Sequence, residues 1–274
     1  MSANFLGREK EYQNVAGFGE SALSLRETFS PASTYAERIG KLFADIAAMG
    51  FGAVDLWDAH CSPLWANEQH FRGLRAASEQ HGVKIASMAG GMGDDLTAFK
   101  KLCHVAREIG APVLGVSGSL IPKYGEEVAA LLERYEIKLG FENHPDEKTP
   151  SDVIEKIGGG QRPRIGATLD TGWFATHGYP VLNAIDELRD HLFLVHLKNI
   201  EAPGGHDAAP WDRGCLDLER IVRKLKQVGY NGYMSVEYEP LDHDPSESCT
   251  QFRVKVEEWL AAPAPAVASE SLMF

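Results

Sequence analysis

KLGFE (residues 138–142), IGATLD (165–170), LFLVH (192–196) and YMSVE (233–237) are four short, nearly continuous apolar runs. Each stops on a side chain that can bind a cation: Glu142, Asp170, His196 and Glu237. Apolar runs of this length, without polar alternation, read as strands covered on both faces. In a parallel barrel the ends of neighbouring strands converge on one mouth, where active sites are built. The pattern therefore gathers three carboxylates and one imidazole at one place. Three acids packed together repel unless a cation holds them, so the set implies a divalent metal, and a metal there implies an enzyme.

Outward from these runs the chain repeats one unit: amphipathic helix, glycine, short apolar strand. Residues 35–49 carry Ile39, Leu42, Phe43 and Ile46 at helical spacing, stop at Gly50 and lead into AVDLW (53–57). Residues 74–81 stop at Gly82 before KIASM (84–88), and a helical face from Leu96 to Ile109 stops at Gly110 before PVLGVS (112–117). Glycine just past a helix end is the usual left-handed cap. With a first strand at 21–26, the runs ending near Trp57, Met88, Ser117, Glu142, Asp170, Lys198 and Glu237 make eight. Eight closes a parallel (β/α)8 barrel, an α/β fold. A doubly wound open sheet is the competing topology, but no G-x-G-x-x-G follows an early strand. The expected organisation is one domain over residues 1–261, with residues 1–20 an irregular extension, and a flexible Ala/Pro/Ser-rich tail at 262–274.

Composition narrows the class. The chain has 274 residues and a net charge of −12, with no basic stripe, which argues against a nucleic-acid partner. The opening MSANFLGREKEYQ lacks the apolar core of a secretion signal, and no run is long enough to span a membrane. Cys61, Cys103, Cys215 and Cys249 are scattered without C-x-x-C spacing. They read as reduced thiols of a cytoplasmic protein. The expected partner is a small molecule, with the tail a possible contact in a homo-oligomer.

Five motifs add a resemblance: FENHP (141–145), LDTGW (169–173), VHLKN (195–199), APGGHD (202–207) and SVEYEP (235–240). From about Tyr35 to Pro240 the chain resembles the xylose isomerase-like TIM barrel superfamily, which holds sugar phosphate isomerases and epimerases, ketose 3-epimerases and endonuclease IV. The resemblance implies that Glu142, Asp170, His196 and Glu237 bind the metal, the same four that the strand ends select. Glu239, on the same strand face as Glu237, is the alternative fourth ligand. The nuclease branch needs further histidines, one of them three positions after the aspartate, where this chain has Trp173; the fourth run ends in Ser117. Trp173 also departs from many ketose epimerases, in which a histidine at this place contacts substrate.

Oxygen donors with one imidazole suit a borderline-hard ion, Mn²⁺ first and Mg²⁺, Co²⁺ or Zn²⁺ after it. Such an ion polarises a carbonyl and its neighbouring hydroxyl and acidifies the C–H beside them. In the epimerases that the chain resembles, the two metal-binding glutamates also handle the proton, which assigns Glu142 and Glu237 as the acid/base pair acting through an enediolate. Strand alternation returns His144 to the side of Glu142 and Lys198 to that of His196. His60 after the second run, His206 in the Gly-rich loop, and Trp57 and Trp173 complete the expected substrate contacts. Together these predict a metal-dependent sugar isomerase or epimerase. The rival is a lyase or hydratase on a 3-keto sugar or 3-keto glycoside, using the same enolisation.

Overall fold

The computed structural model describes residues 2–13 and 15–263. Two helices, α1 (Phe18–Phe29) and α2 (Ala32–Ala48), precede β1 (Ala53–Trp57) and α3 (Glu68–His81). There follow β2 (Lys84–Gly91), α4 (Leu96–Ile109), β3 (Val113–Ser117), α5 (Leu120–Tyr135), β4 (Lys138–Glu142) and α6 (Pro150–Lys156). The second half runs β5 (Ile165–Asp170), α7 (Thr171–Thr176), α8 (Val181–Leu188), β6 (Leu192–Ile200), β7 (Ala208–Ala209), α9 (Leu218–Gln227), β8 (Tyr233–Glu237) and α10 (Ser246–Ala261).

Strands β1 to β6 pair in chain order, all parallel, and β8 joins β6 in parallel. Helices between them bury one face each; α4, for example, packs Phe99, Leu102, Cys103, Val105, Ala106 and Ile109 inward. Side chains fill the sheet's interior. A methyl group at Gly115 on β3 would fall 2.8 Å from Leu194 Cδ2 on β6, so the leucine would have to shift to admit one. This packed layer is the floor on which the strand-end residues stand.

The expected first strand at 21–26 is corrected: these residues lie inside α1. The alternation of SALSLR suggested a strand, yet Ser21, Leu25 and Phe29 are the buried positions and Leu23 is 63% exposed. A four-residue repeat of burial belongs to a helix, not to a strand of period two. Seven parallel strands therefore form the wall. The eighth strand, β7, is a two-residue antiparallel partner of Asn199–Ile200 in the loop after β6.

No ladder joins β1 to β8 among the described residues, and the N-terminal segment occupies that seam. Asn4, buried, donates its amide to Val236 O at 3.1 Å and accepts from Tyr238 N at 3.3 Å. One side-chain amide thus does for the edge of β8 what a neighbouring strand's peptide group would do. Phe5 and Leu6 are buried beside it. Asn4→Ala loses both hydrogen bonds, along with a third to Cys249 Sγ at 3.2 Å, and is expected to cost about 2 kcal/mol, a fall of roughly 5 °C in Tm for a domain of this size. A thermal melt of the variant that overlays the parent would show that the seam is held by Phe5 and Leu6 alone.

No helix among the described residues is long and apolar enough to cross a membrane. All four cysteines are free, Cys215 exposed and the others buried. Of the tail expected at 262–274, residues 264–274 lie outside the described residues.

Candidate metal centre and substrate cavity

Glu142 ends β4, Asp170 ends β5, His196 lies in β6 and Glu237 ends β8. Their registers align, Asp170 opposite His196 and His196 opposite Ser235. One ligand atom from each of the four lies within 4.8 Å of every other, and all four residues are buried. His196 turns Nδ1 toward Glu142 Oε1 at 2.5 Å and Glu237 Oε2 at 3.1 Å. Asp170 uses Oδ1 to cap α7, accepting from Trp173 N at 2.9 Å, while its buried Oδ2 has no hydrogen-bond partner. A buried carboxylate oxygen without a donor is costly in protein, and a cation satisfies it. The donor set, three carboxylates and an imidazole nitrogen, suits a divalent ion.

Charge points the same way. Asp55, Glu142, Asp170, Glu237 and Glu239 are all buried, facing Lys198 and His196 as the buried bases. Burial, with the Glu237 charge behind it, pushes the Asp170 carboxyl well above the usual carboxylate range. Burial likewise raises Glu239. Against the cost of burial, Lys198 and then His196 hold Glu237 low and ionised. Lys198 Nζ donates to Glu237 Oε1 at 2.9 Å and Glu239 Oε2 at 2.7 Å. Glu239, the alternative ligand, is thereby turned to the lysine and lies outside the four-residue group.

Asp55 carries no motif and was not anticipated. It sits mid-strand in β1, and its Oδ2 lies 2.9 Å from His196 Nε2. Ser87 on β2 donates to its other oxygen at 2.7 Å. A carboxylate behind a ligating histidine fixes the ring and raises its basicity, typically worth 10–100-fold in metal affinity. Asp55→Asn is accordingly expected to weaken binding about 10–100-fold, read by competition with a fluorescent chelator. Unchanged affinity would deny Asp55 that role.

A cavity of 340 Å³ opens above these residues and is lined by Glu142, His144, Trp173, Lys198, His206 and Trp57, among others. The Trp173 and His206 rings stack at 3.4 Å and form one wall. Elsewhere in the lining Phe18 meets Trp57 edge-on at 6.0 Å. Phe18 opens α1; it falls within residues 1–20, the expected irregular extension, where no motif marks it. His144 lies 5.9 Å from the Trp173 ring. His60 is placed elsewhere: it is buried against Phe29 and lines a separate cavity with Arg8 and Arg38. It sits in the 3-10 turn that follows β1 and packs beneath α1.

The loop after β6 is tied over the cavity. Thr176 Oγ1 meets Gly205 O at 2.8 Å, Gly172 O at 3.0 Å and His206 Nδ1 at 2.8 Å. One hydroxyl has one proton. With that proton on a carbonyl, His206 Nδ1–H must donate to Oγ1, which leaves Nε2 as the acceptor. Burial, then the Lys198 charge, pushes this imidazole down to about 3, so it is neutral. Asp58, just past β1, is another lining acid that was not anticipated. It accepts from the Gly91 and Ala59 backbone N–H groups, and burial still pushes it up to about 6.

Comparison with known proteins agrees with this architecture. Residues 43–254 match the model of the xylose isomerase-like TIM barrel family. An uncharacterised protein of Methanocaldococcus jannaschii is 27% identical over 118 residues, and the match spans 40% of this chain and only 40% of that relative's length. A xylose isomerase-like TIM barrel protein of Mycobacterium smegmatis, solved with magnesium, superposes with a TM-score of 0.67 at 16% identity, covering 84% of this chain and 89% of that one. The 3-keto-D-glucoside 4-epimerase of E. coli gives 0.65 at 15% identity, covering 81% and 95%. At such identities the two structures speak for the fold.

Proposed function

This chain belongs to the xylose isomerase-like TIM barrel family, and on that footing we propose that it is a divalent metal-dependent sugar isomerase or epimerase. The reaction moves a proton at a carbon next to a carbonyl. The observation that carries this reading is the convergence of Glu142 and Glu237 on His196 Nδ1, at 2.5 Å and 3.1 Å, beneath a cavity with aromatic walls. When bound by Glu142, Asp170, His196 and Glu237, the ion, Mn²⁺ by preference and Mg²⁺, Co²⁺ or Zn²⁺ within the same donor set, supplies Lewis acidity that polarises the substrate's carbonyl and acidifies the adjacent C–H.

The chain's own residues do the rest. Glu142 and Glu237 take and return the proton. Lys198 keeps Glu237 ionised and offers N–H to the oxyanion of the enediolate. Trp173, His206 and Trp57 hold the sugar ring, and neutral His206 Nε2 accepts from a hydroxyl. His144 lines the wall beside Glu142. A second reading, a lyase or hydratase on a 3-keto sugar or glycoside, is favoured by Asp58: a carboxyl raised to about 6 inside the cavity can protonate a departing oxygen near neutral pH.

The test is NMR of the Mn²⁺- or Mg²⁺-loaded protein in D₂O with a panel of ketoses and 3-keto sugars. Exchange of the C–H next to the carbonyl, lost in Glu142→Gln, is expected. Products isomeric with the substrate apart from the exchanged deuterium mark the isomerase, and loss or gain of a group the lyase or hydratase. A panel without exchange rejects both.

A further inference from the structure

The mouth does not end at the reaction cavity. A chamber of 440 Å³ lies between the loops after β1 and β2 and shares Asp58 and Gly91 with the 340 Å³ cavity. The junction is lined by the Asp58 side chain and the Gly91 backbone. A methyl group at Gly90 would fall 2.6 Å from Asp58, whereas at Gly91 the nearest atom is 4.0 Å away. On the opposite side another chamber, 510 Å³, meets the cavity at Phe18, Lys198, His206 and Glu239. Three of those side chains are already engaged, in the Lys198–Glu239 ion pair and the Trp173–His206 stack.

Pro63 and Leu64 form one wall of the Asp58-side chamber, and Asp94, Thr97 and Lys101 the other. Leu64 is 77% exposed, an apolar face next to polar groups, the pairing that suits a sugar's apolar C–H face and its hydroxyls. Lys101 is outnumbered by the lining carboxylates Asp58, Asp94 and Asp95, which disfavours a phosphate or other anion. Asp58 accepts two backbone N–H bonds and, as a carboxylate, has acceptor capacity left. The chamber is at least as large as the cavity that takes the reacting unit, so it fits a second unit of the same kind.

We propose that this chamber is a second sugar subsite, so that the substrate is a keto sugar carrying a further sugar unit. The attached unit lies between Leu64 and Lys101, and Asp58 accepts a hydroxyl hydrogen bond at the junction. This rests on the keto-sugar reading above. Binding energy from a remote unit raises turnover of the reacting one.

The experiment compares kcat/KM for solvent-deuterium incorporation into D-fructose with that for disaccharides in which fructose carries a hexose at O3, O4 or O6 (turanose, palatinose and lactulose among them), using the metal-loaded full chain. At least one disaccharide should exchange about tenfold faster than fructose. Leu64→Ala should cut that advantage roughly threefold and leave the fructose rate alone. Fructose as good as every disaccharide, or an advantage intact in Leu64→Ala, overturns the subsite. If no ketose exchanges, the keto-sugar reading falls instead. Saturation-transfer NMR of the disaccharides then decides the chamber: saturation of both sugar units, diminished at the second in Leu64→Ala, supports it, and none at the second unit rejects it.

Discussion

Glu142→Gln combined with Asp170→Asn is expected to abolish stoichiometric metal binding and, with it, turnover, while the protein stays folded. Losing even a partner behind a ligand costs 10–100-fold in affinity, so removing two ligands should cost more than about 10³-fold. The fold tolerates the change for local reasons. Asn at 170 can still cap α7 through its side-chain oxygen, as Asp170 does toward Trp173 N. Gln at 142 removes one charge from a buried acidic group. Elemental analysis reads the result directly, with about one Mn, Mg, Co or Zn per parent chain and none in the variant. Thermal melts give an independent readout: metal at about 100 times Kd should stabilise the parent by about 2.7 kcal/mol, roughly 7 °C, and leave the variant unmoved. Equal metal content in the two proteins would place the ion elsewhere and remove the basis of the proposed reaction.

Lys198→Met carries the second largest expected effect, on stability and activity together. The ammonium is buried and sits between Glu237 and Glu239, 2.9 and 2.7 Å away. Methionine matches its volume and leaves two buried carboxylates facing each other. Breaking a buried ion pair from one side costs about 3–5 kcal/mol. Because Lys198 also offers the N–H for the developing oxyanion, exchange should fall by about 10²–10³-fold even where the variant is fully folded. Chemical denaturation and deuterium exchange, run on the same preparation, separate the two effects. A variant that is destabilised yet exchanges at the parent rate would make Lys198 a purely structural counter-ion.

Much of this was legible in the chain because the relevant side chains end apolar runs. KLGFE, IGATLD and YMSVE coincide with β4, β5 and β8 to the residue, and the register of parallel strands then gathers their last residues without further information. What stayed hidden was set by tertiary contact. Asp55 lies inside AVDLW, where one acid among apolar neighbours gives no sign of facing His196 across the interior. Asp58 acquires its character from burial beside Gly90 and Gly91, which only the folded loops supply. Leu23 and Leu25 alternate as in a strand, while Ser21, Leu25 and Phe29 stand four apart as in a helix, and packing against α2 selected the helix. His60 follows a strand end, as a mouth residue would, but the 3-10 turn carries it beneath α1.

The tie between Asn4 and Val236 spans 232 positions of the chain, which places a constraint on biosynthesis. The amide that completes the seam leaves the ribosome 232 positions ahead of the strand it serves. At about 5–20 residues per second, the interval is roughly 10–50 s. Until β8 emerges, β6 presents the edge that β8 will pair, the kind of surface that recruits other chains. Nascent protein is therefore most vulnerable to misassembly before β8 emerges, and a bulky fusion ahead of Ser2 would lengthen that vulnerability by hindering the last stitch.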